Sequence, residues 1–171
     1  MKKLLLLVSL LFPAAALADD DTTLSRLLLA HHDAPTRAQI ERHVEAPKPR
    51  LVAIALDARM FPPLRKRAIA VLAAWPDAEV EATYRTLLAR RDEHVMHHVT
   101  FAVARAFPEE APDILTPLML QTDHELLLSA VDALVRVDTA EARAQLDAVM
   151  DPSLSATIRA ARRRAEKIRR R

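Results

Sequence analysis

The chain has 171 residues with 25 basic and 23 acidic side chains, so its formal net charge is +2 when histidine is neutral. It contains neither glycine nor cysteine. Phosphate-binding loops, dinucleotide fingerprints and nucleophile elbows need glycine for positive φ or close backbone approach, and all three are therefore excluded. Disulfides, thiol nucleophiles and thiolate metal sites are excluded by the lack of cysteine. Hydrophobic residues make up 51% and aromatic residues 4%, which predicts one domain with an aliphatic core.

The first 18 residues have the pattern of a secretory signal peptide. Two lysines precede an almost wholly apolar stretch at residues 4–12, and Ala16-Leu17-Ala18 forms a small-residue cleavage signal ahead of acidic residues 19–21. The apolar stretch is shorter than the ~20 residues that a membrane span needs, which argues against an uncleaved anchor. We therefore expect cleavage after Ala18 and a periplasmic or secreted mature protein.

The rest of the chain shows apolar residues at helical spacing, separated by short linkers. Thr22–His32 and Thr36–Val44 are predicted as the first helices, and together with the preceding acidic residues they form an N-terminal helical cap at residues 19–46. Residues 47–49, Pro-Lys-Pro, are predicted to form a bend or linker. Further helices are predicted to begin at or directly after Arg50, Pro63, Asp77, Asp92, Pro112, Asp123, Asp138 and Asp151, and the first of these is predicted to end at Met60. Asp77, Asp92, Asp123 and Asp151 are predicted N-caps. Thr36 with Gln39, and Asp138 with Glu141, are predicted capping boxes. No strand pattern is present, so the chain is predicted to be all-α.

One helical pattern then repeats at a fixed offset of 31 residues within residues 47–171. The repeating apolar positions are Leu64, Ala68 and Leu72, then Val95, Val99 and Val103, then Leu126, Ala130 and Leu134. The alternate helices keep the same offset at Leu56, Leu87, Leu118 and Val149. A single pair of helices cannot bury its own apolar face, so this period predicts about four stacked antiparallel pairs that end in a basic C-terminal helix.

The repeated pattern consists of a capping Asp, an aliphatic position, basic residues and then Ala or Val positions, and its copies run through Leu72, Val103 and Leu134. This arrangement resembles HEAT repeats in their short bacterial form, over about residues 50–170. The resemblance implies a right-handed α-solenoid that serves as a non-enzymatic scaffold for protein interactions. It also implies that the second helix of each pair lines a concave face.

Under this resemblance, the outward positions of the second helices would contact a partner. The 31-residue offset aligns Arg67 with His98, and Arg105 with Arg136. The predicted partner-binding residues are Arg67, His98, Phe101, Arg105, Asp132 and Arg136, with Lys66 and His97 alongside. We expect a mildly basic groove for an acidic peptide or a partner loop. The alternative is an ordinary solvated face, on which Asp132 and Arg136 form an i,i+4 pair.

The histidines give a second hypothesis. His94 and His98 are four residues apart, and the 31-residue offset brings His124 near His94. Imidazoles one helical turn apart can bind one metal ion, so these three histidines are an alternative metal site. No H-E-x-x-H motif accompanies them, and no cofactor is predicted. The serines, Ser129 among them, have no glycine elbow and no patterned His or Asp partner, so no hydrolase is predicted.

The C-terminal residues 159–171 give a third hypothesis, because they carry eight basic side chains against the single acidic Glu166. A helix of this kind can contact an anionic membrane surface, although its small apolar side predicts only weak binding. Nucleic-acid binding also fits an arginine cluster, but it is not expected of an exported protein.

Overall fold

The computed structural model describes residues 14–30, 34–119, 124–148, 156, 158–160 and 162–163. The regular secondary structure of these residues is entirely helical, which confirms the all-α prediction. The helices are α1 (Ala14–Ala30), α2 (Arg37–Glu41), α3 (Pro47–Leu56), α4 (Pro62–Leu72), α5 (Ala78–Arg90), α6 (Met96–Ala106), α7 (Ala111–Met119), α8 (His124–Val137) and α9 (Ala140–Asp147). None of the helices in this part of the chain is both long enough and apolar enough to cross a bilayer.

Several predictions fall on residues outside the described ranges. They are the signal-peptide start at residues 1–13, the capping residues Asp123 and Asp151, and the basic residues 164–171. The first described helix, α1, begins at Ala14 rather than at Thr22 and continues through Ala16-Leu17-Ala18. Alanine and leucine are strong helix formers, and their local preference explains why the helix includes these residues.

The structure confirms two helix caps. Gln39 donates its backbone N–H to the Thr36 hydroxyl at 3.3 Å, and Thr36 donates its backbone N–H to the Gln39 side-chain oxygen at 2.7 Å. This is the predicted capping box. The Asp77 carboxylate accepts the backbone N–H groups of Glu79 at 3.1 Å and Val80 at 3.0 Å, as expected of an N-cap.

The predicted linker at residues 47–49 is wrong, because these residues form the first turn of α3. Proline suits this position, since its φ is already helical and the first turn leaves backbone N–H groups unpaired in any case. α3 also ends earlier than predicted, at Leu56 rather than at Met60. The Asp57 carboxylate accepts the backbone N–H of Arg59 at 2.9 Å and thereby competes with continuation of the helix.

The predicted capping box of Asp138 and Glu141 is also wrong. Thr139 is the N-cap of α9, and its hydroxyl accepts the backbone N–H of Ala142 at 3.2 Å. Asp138 instead adopts a left-handed backbone between α8 and α9.

In the described part of the chain, three joints next to helix ends have a left-handed backbone. Ala46 precedes α3 with a φ of 45°, Arg91 follows α5 with a φ of 52°, and Asp138 follows α8 with a φ of 56°. Glycine usually occupies such positions because a β-carbon crowds the adjacent carbonyl. In this glycine-free chain, residues with a β-carbon hold all three.

The helices pack in a regular order. α3 packs on α4, α5 on α6 and α7 on α8, while α4, α6 and α8 lie side by side in that sequence. α3 also contacts α5, α7 contacts α9, and α1 contacts α4. The predicted apolar positions that this packing buries are Leu64, Ala68, Leu72, Val95, Val99, Val103, Ala130 and Leu134. Leu126 is half-buried, so the 31-residue pattern largely marks the core.

Arg65 is a buried cation at the start of α4. Its side chain is 3% exposed, and its Nη1 donates to the Asp92 Oδ2 at 2.5 Å. Its Nε donates to the backbone carbonyl of Ala55 at 3.3 Å. As predicted of a cap, the Asp92 carboxylate also accepts a backbone N–H, from His94 at 3.1 Å, although this contact lies in the turn that precedes α6, which begins at Met96. Asp92 thus joins Arg65 of α4 to the segment before α6.

This ion pair makes stability depend on pH. The hydrogen bond from Arg65 holds the pKa of Asp92 below its ordinary value, and burial opposes that shift only partly. Asp92 therefore stabilises the fold fully above its unfolded pKa of about 3.9, and this contribution is lost as the pH falls through the lower folded pKa. We expect the difference in unfolding free energy between wild type and Asp92→Asn to shrink below about pH 4. Urea unfolding at a series of pH values from neutral downward measures this difference. A difference that stays constant would contradict the assignment of the pH dependence to the Arg65–Asp92 pair.

Candidate functional site

The predicted partner-binding residues lie on the three helices that pack side by side. Arg67 lies on α4, His98, Phe101 and Arg105 lie on α6, and Asp132 and Arg136 lie on α8. Arg105 and Arg136 are exposed, and the other four are half-buried. The structure therefore brings all six to one surface, which we call the α4–α6–α8 face. Whether this face binds a partner stays a prediction at this point.

Two open pockets lie at the seam between α4 and α6. The first, of about 340 Å³, is lined by Ala34, Pro63, Lys66, Arg67, Ala70 and His98. The second, of about 260 Å³, is lined by Ala70, His97, His98, Phe101, Ala102 and Arg105. Ala70 and His98 line both pockets, so the two adjoin and form one groove. Ala70 was not among the predicted residues, because a small side chain becomes important only where two helices leave space above it.

His98 lies at the junction of the pockets. Its Nδ1 is buried and has no hydrogen-bond partner in the described part of the chain. Burial lowers the pKa of His98, and the positive charge of Lys66 and the neighbouring His97 lower it further. The imidazole is therefore neutral at pH 7. A buried nitrogen with an unused hydrogen-bonding capacity is costly unless a ligand or water satisfies it.

The linings of these two pockets contain cations but no carboxylate. Within the described residues, Lys66 and Arg105 form no ion pair. Many other cations of the described chain are paired: Arg37 with Glu41, Lys48 with Asp77, Arg59 with Asp57, Arg85 with Glu81 and Arg162 with Asp147. Among the residues that the structure describes, the charges of Lys66 and Arg105 are thus not compensated by a carboxylate.

Phe101 connects the groove to α8. Its ring lies 4.5 Å from the ring of His97, between centroids, at an angle of 64°. On α8, the guanidinium carbon of Arg136 lies 4.6 Å from the centre of the Phe101 ring, a distance typical of a cation–π contact. Arg136 also pairs with Asp132 at 3.4 Å, which is the i,i+4 pair suggested by the sequence. Arg136 consequently offers less free charge than Arg105.

The structure places a histidine beside Ser129, which the sequence analysis did not expect. The His97 Nδ1 and the Ser129 Oγ lie 3.2 Å apart and link α6 to α8. Ser129 lies in the second turn of α8, where helix hydrogen bonds occupy the backbone N–H groups that an oxyanion hole would need. The pair therefore supports helix packing rather than hydrolysis. The 32-residue separation, close to the repeat offset, was the signal that could have revealed it.

The alternative metal site is only partly covered by the structure. His94 is exposed and lies in a turn before α6, so the helix itself does not set its spacing to His98. The side chain of His124 lies outside the described residues. Among the side chains that the structure does describe, no three metal-binding groups converge. The three-histidine hypothesis therefore stays a prediction.

Comparison with models of known protein families, with curated proteins and with solved structures gives no match. The function is therefore inferred from the geometry of the chain itself.

Proposed function

We propose that this chain is an exported, non-enzymatic interaction scaffold with a right-handed HEAT-like solenoid fold, which binds another protein on its α4–α6–α8 face. The observation that carries the proposal is the groove on this face, where Lys66 and Arg105 lie beside aromatic and apolar side chains without a carboxylate. The signal-peptide pattern of residues 1–18 supports the proposal that the protein is exported.

Long-range polar contacts support the solenoid part of the proposal. Several of them join residues separated by 27–29 positions, close to one sequence period. These pairs are Arg50 with Asp21, Lys48 with Asp77, Arg65 with Asp92, Arg85 with Asp113, and Gln145 with Thr116. In a stack of repeats, each unit contacts its neighbour through equivalent positions, and such a constant separation is the expected result.

The same contacts fit two rows of helices. α4, α6 and α8 form one row through direct packing. The other row is α3, α5, α7 and α9, in which Lys48 reaches the Asp77 cap of α5 at 2.7 Å and Arg85 of α5 reaches Asp113 of α7 at 3.2 Å. Helix pairs arranged in two rows are the layout of an α-solenoid. The surface of one row then forms an extended binding face.

The composition of the face favours a protein partner. Protein interfaces are enriched in arginine and aromatic residues, and the arginine and aromatic side chains of this face are Arg67, Phe101, Arg105 and Arg136. The groove is open and shallow, as expected for a peptide or loop. We therefore assign the α4–α6–α8 face, rather than the α3–α5–α7–α9 row, to partner binding.

This function is tested by selecting peptides from a random library for binding to the immobilised protein. The protein is produced from the full chain in a host that exports it, so that any processing takes place there. We expect peptides that bind wild type to bind the Arg105→Glu/Arg136→Glu variant at least about tenfold more weakly. Each substitution replaces a positive charge of the face with a negative charge, which no longer complements the charge of the bound peptide. The intact mass of the purified protein checks cleavage after Ala18 in the same preparation.

The matched control is Arg59→Glu/Arg143→Glu, which makes the same change in net charge at exposed residues outside the two pockets. Its affinity for the selected peptides is expected to stay within about twofold of wild type. Equal losses in both variants, or no loss in either, would remove the α4–α6–α8 face as the binding surface.

A further inference from the structure

The groove between α4 and α6 has cations toward its two ends and apolar groups between them. Lys66 and Arg67 line only the first pocket, and Arg105 lines only the second. Ala70 lines both pockets, and Phe101 and Ala102 contribute further apolar surface to the second. A ligand that follows this groove therefore meets positive charge, then an apolar stretch, then positive charge again.

The length of the groove can be estimated from α6. His98 and Arg105 are seven positions apart on this helix, which corresponds to about 10 Å at a rise of 1.5 Å per residue. A partner helix lying along the seam spans the same distance between residues i and i+7, which share a face. Two anionic side chains at this spacing, with an apolar side chain between them, match the groove.

We propose that the groove takes an acidic helical segment of a partner protein, with one carboxylate beside Lys66 and His98 and a second carboxylate at Arg105. An apolar side chain of the segment then lies over Ala70 and Phe101. This inference rests on the proposed function, because it names the chemical class of partner for the same face. His98 lines both pockets and is only half-buried, so its side chain is in a position to contact the first carboxylate.

Carboxylates suit the groove better than a nucleic-acid backbone does. Double-stranded DNA carries about one phosphate charge per 1.7 Å, and its binding is driven by many cations along a continuous track. The groove instead presents Lys66 and Arg67 in one pocket and Arg105 in the other, with the apolar side chains of Ala70, Phe101 and Ala102 between them. Arg136, which would extend the positive track to α8, is already paired with Asp132 at 3.4 Å. Discrete acidic side chains on an amphipathic helix fit this pattern.

Fluorescence anisotropy with a defined probe tests the inference. The probe is a fluorescein-labelled peptide of about 16 residues, rich in alanine, with glutamates at i and i+7 and a leucine between them. Its matched twin carries glutamine in place of both glutamates. We expect the full chain to bind the glutamate probe about tenfold more tightly than the twin, because hydrogen bonds to charged groups are the stronger ones. The preference is expected to decrease at high salt.

Two variants locate the binding. Lys66→Gln/Arg105→Gln removes the uncompensated charges and is expected to weaken glutamate-probe binding by about tenfold. Arg59→Gln/Arg143→Gln makes the same charge change outside the pockets and is expected to change it by less than about twofold. Ala70→Phe keeps every charge but fills the floor of both pockets, so a similar loss is expected. The control for added bulk is Ala144→Phe, at an exposed position of α9.

The outcomes separate this inference from the proposed function. Equal binding of the two probes, together with library peptides that lose affinity in the Arg105→Glu/Arg136→Glu variant, would overturn the acidic partner and leave the interaction face in place. Unchanged probe binding by Ala70→Phe would also contradict the proposal that the probe binds in the groove, since general electrostatic attraction would then be enough to explain the binding. Displacement of the probe by single-stranded DNA, or by phosphatidylglycerol vesicles, at lower concentrations than by the unlabelled glutamate peptide would assign the groove to those anions instead. Unaltered melting curves confirm that each variant is folded.

Discussion

Replacing Arg65 with alanine is expected to lower the free energy of unfolding by about 3–5 kcal/mol, a large part of the ~5–15 kcal/mol that stabilises a typical domain. The guanidinium is 3% exposed, and the Asp92 side chain is 21% exposed. Alanine leaves this carboxylate without its cation and leaves the backbone carbonyl of Ala55 without its side-chain donor. The loss exceeds that of a surface pair because the remaining Asp92 carboxylate is only partly exposed to water. Urea unfolding at neutral pH measures the change.

The matched control is Arg59→Ala, since Arg59 pairs with Asp57 at 3.0 Å but its side chain is 91% exposed. Breaking this surface pair is expected to cost no more than about 1 kcal/mol. The Arg65→Met/Asp92→Leu double variant is expected to recover much of the stability lost in Arg65→Ala, because it removes the carboxylate together with its buried cation. Equal, small effects of Arg65→Ala and Arg59→Ala would show that Arg65 is not held as described.

Val99→Asp is expected to unfold the chain. Val99 is 0% exposed and lies in the first half of α6, the helix that packs against both α4 and α8. An aspartate at this position is either buried as an unpaired charge or protonated at an energetic cost, and both cost several kcal/mol. Ala130→Asp, at the equivalent 0% exposed position of α8, is expected to have the same effect. Far-UV circular dichroism and thermal melting measure the loss of helix and of cooperativity.

The control for these substitutions is Ala82→Asp, at an exposed position of α5. Here the added carboxylate stays in water, and the free energy of unfolding is expected to change by no more than about 0.5 kcal/mol. A melting curve of Val99→Asp that matches that of Ala82→Asp would mean that the repeat pattern does not mark the core.

The core was predictable because helix burial follows directly from apolar spacing. Val99, Ala130 and Leu134 were identified from their repeat alone, and all three are buried. Helix ends were less predictable, because one residue type has more than one use. Proline at residues 47–49 could break a segment or begin a helix, and the structure shows that it begins α3. At residues 138–139, two cap-forming residues compete, and the threonine is the N-cap.

The candidate site was predictable in outline only. The repeat offset identified which outward residues share a surface, and the structure places them on adjacent helices. The repeat offset could not identify Ala70 as the common floor of the pockets, because a void depends on the distance between two helices and not on the residue spacing within one helix. Nor could it show that Arg65 is buried, since this depends on Asp92 coming within reach from 27 positions along the chain.

The left-handed joints at Ala46, Arg91 and Asp138 affect how rigidly the neighbouring helices are oriented. A backbone without glycine samples fewer conformations when it is unfolded, so each joint loses less entropy on folding. This gain offsets part of the local strain, which is about 1–2 kcal/mol for a residue with a β-carbon. A residue with a β-carbon intrinsically favours other conformations, so each joint is held by the packing of the helices beside it. We expect joints held in this way to fix the orientation of these helices, so that the face proposed for partner binding needs little further ordering when a partner docks.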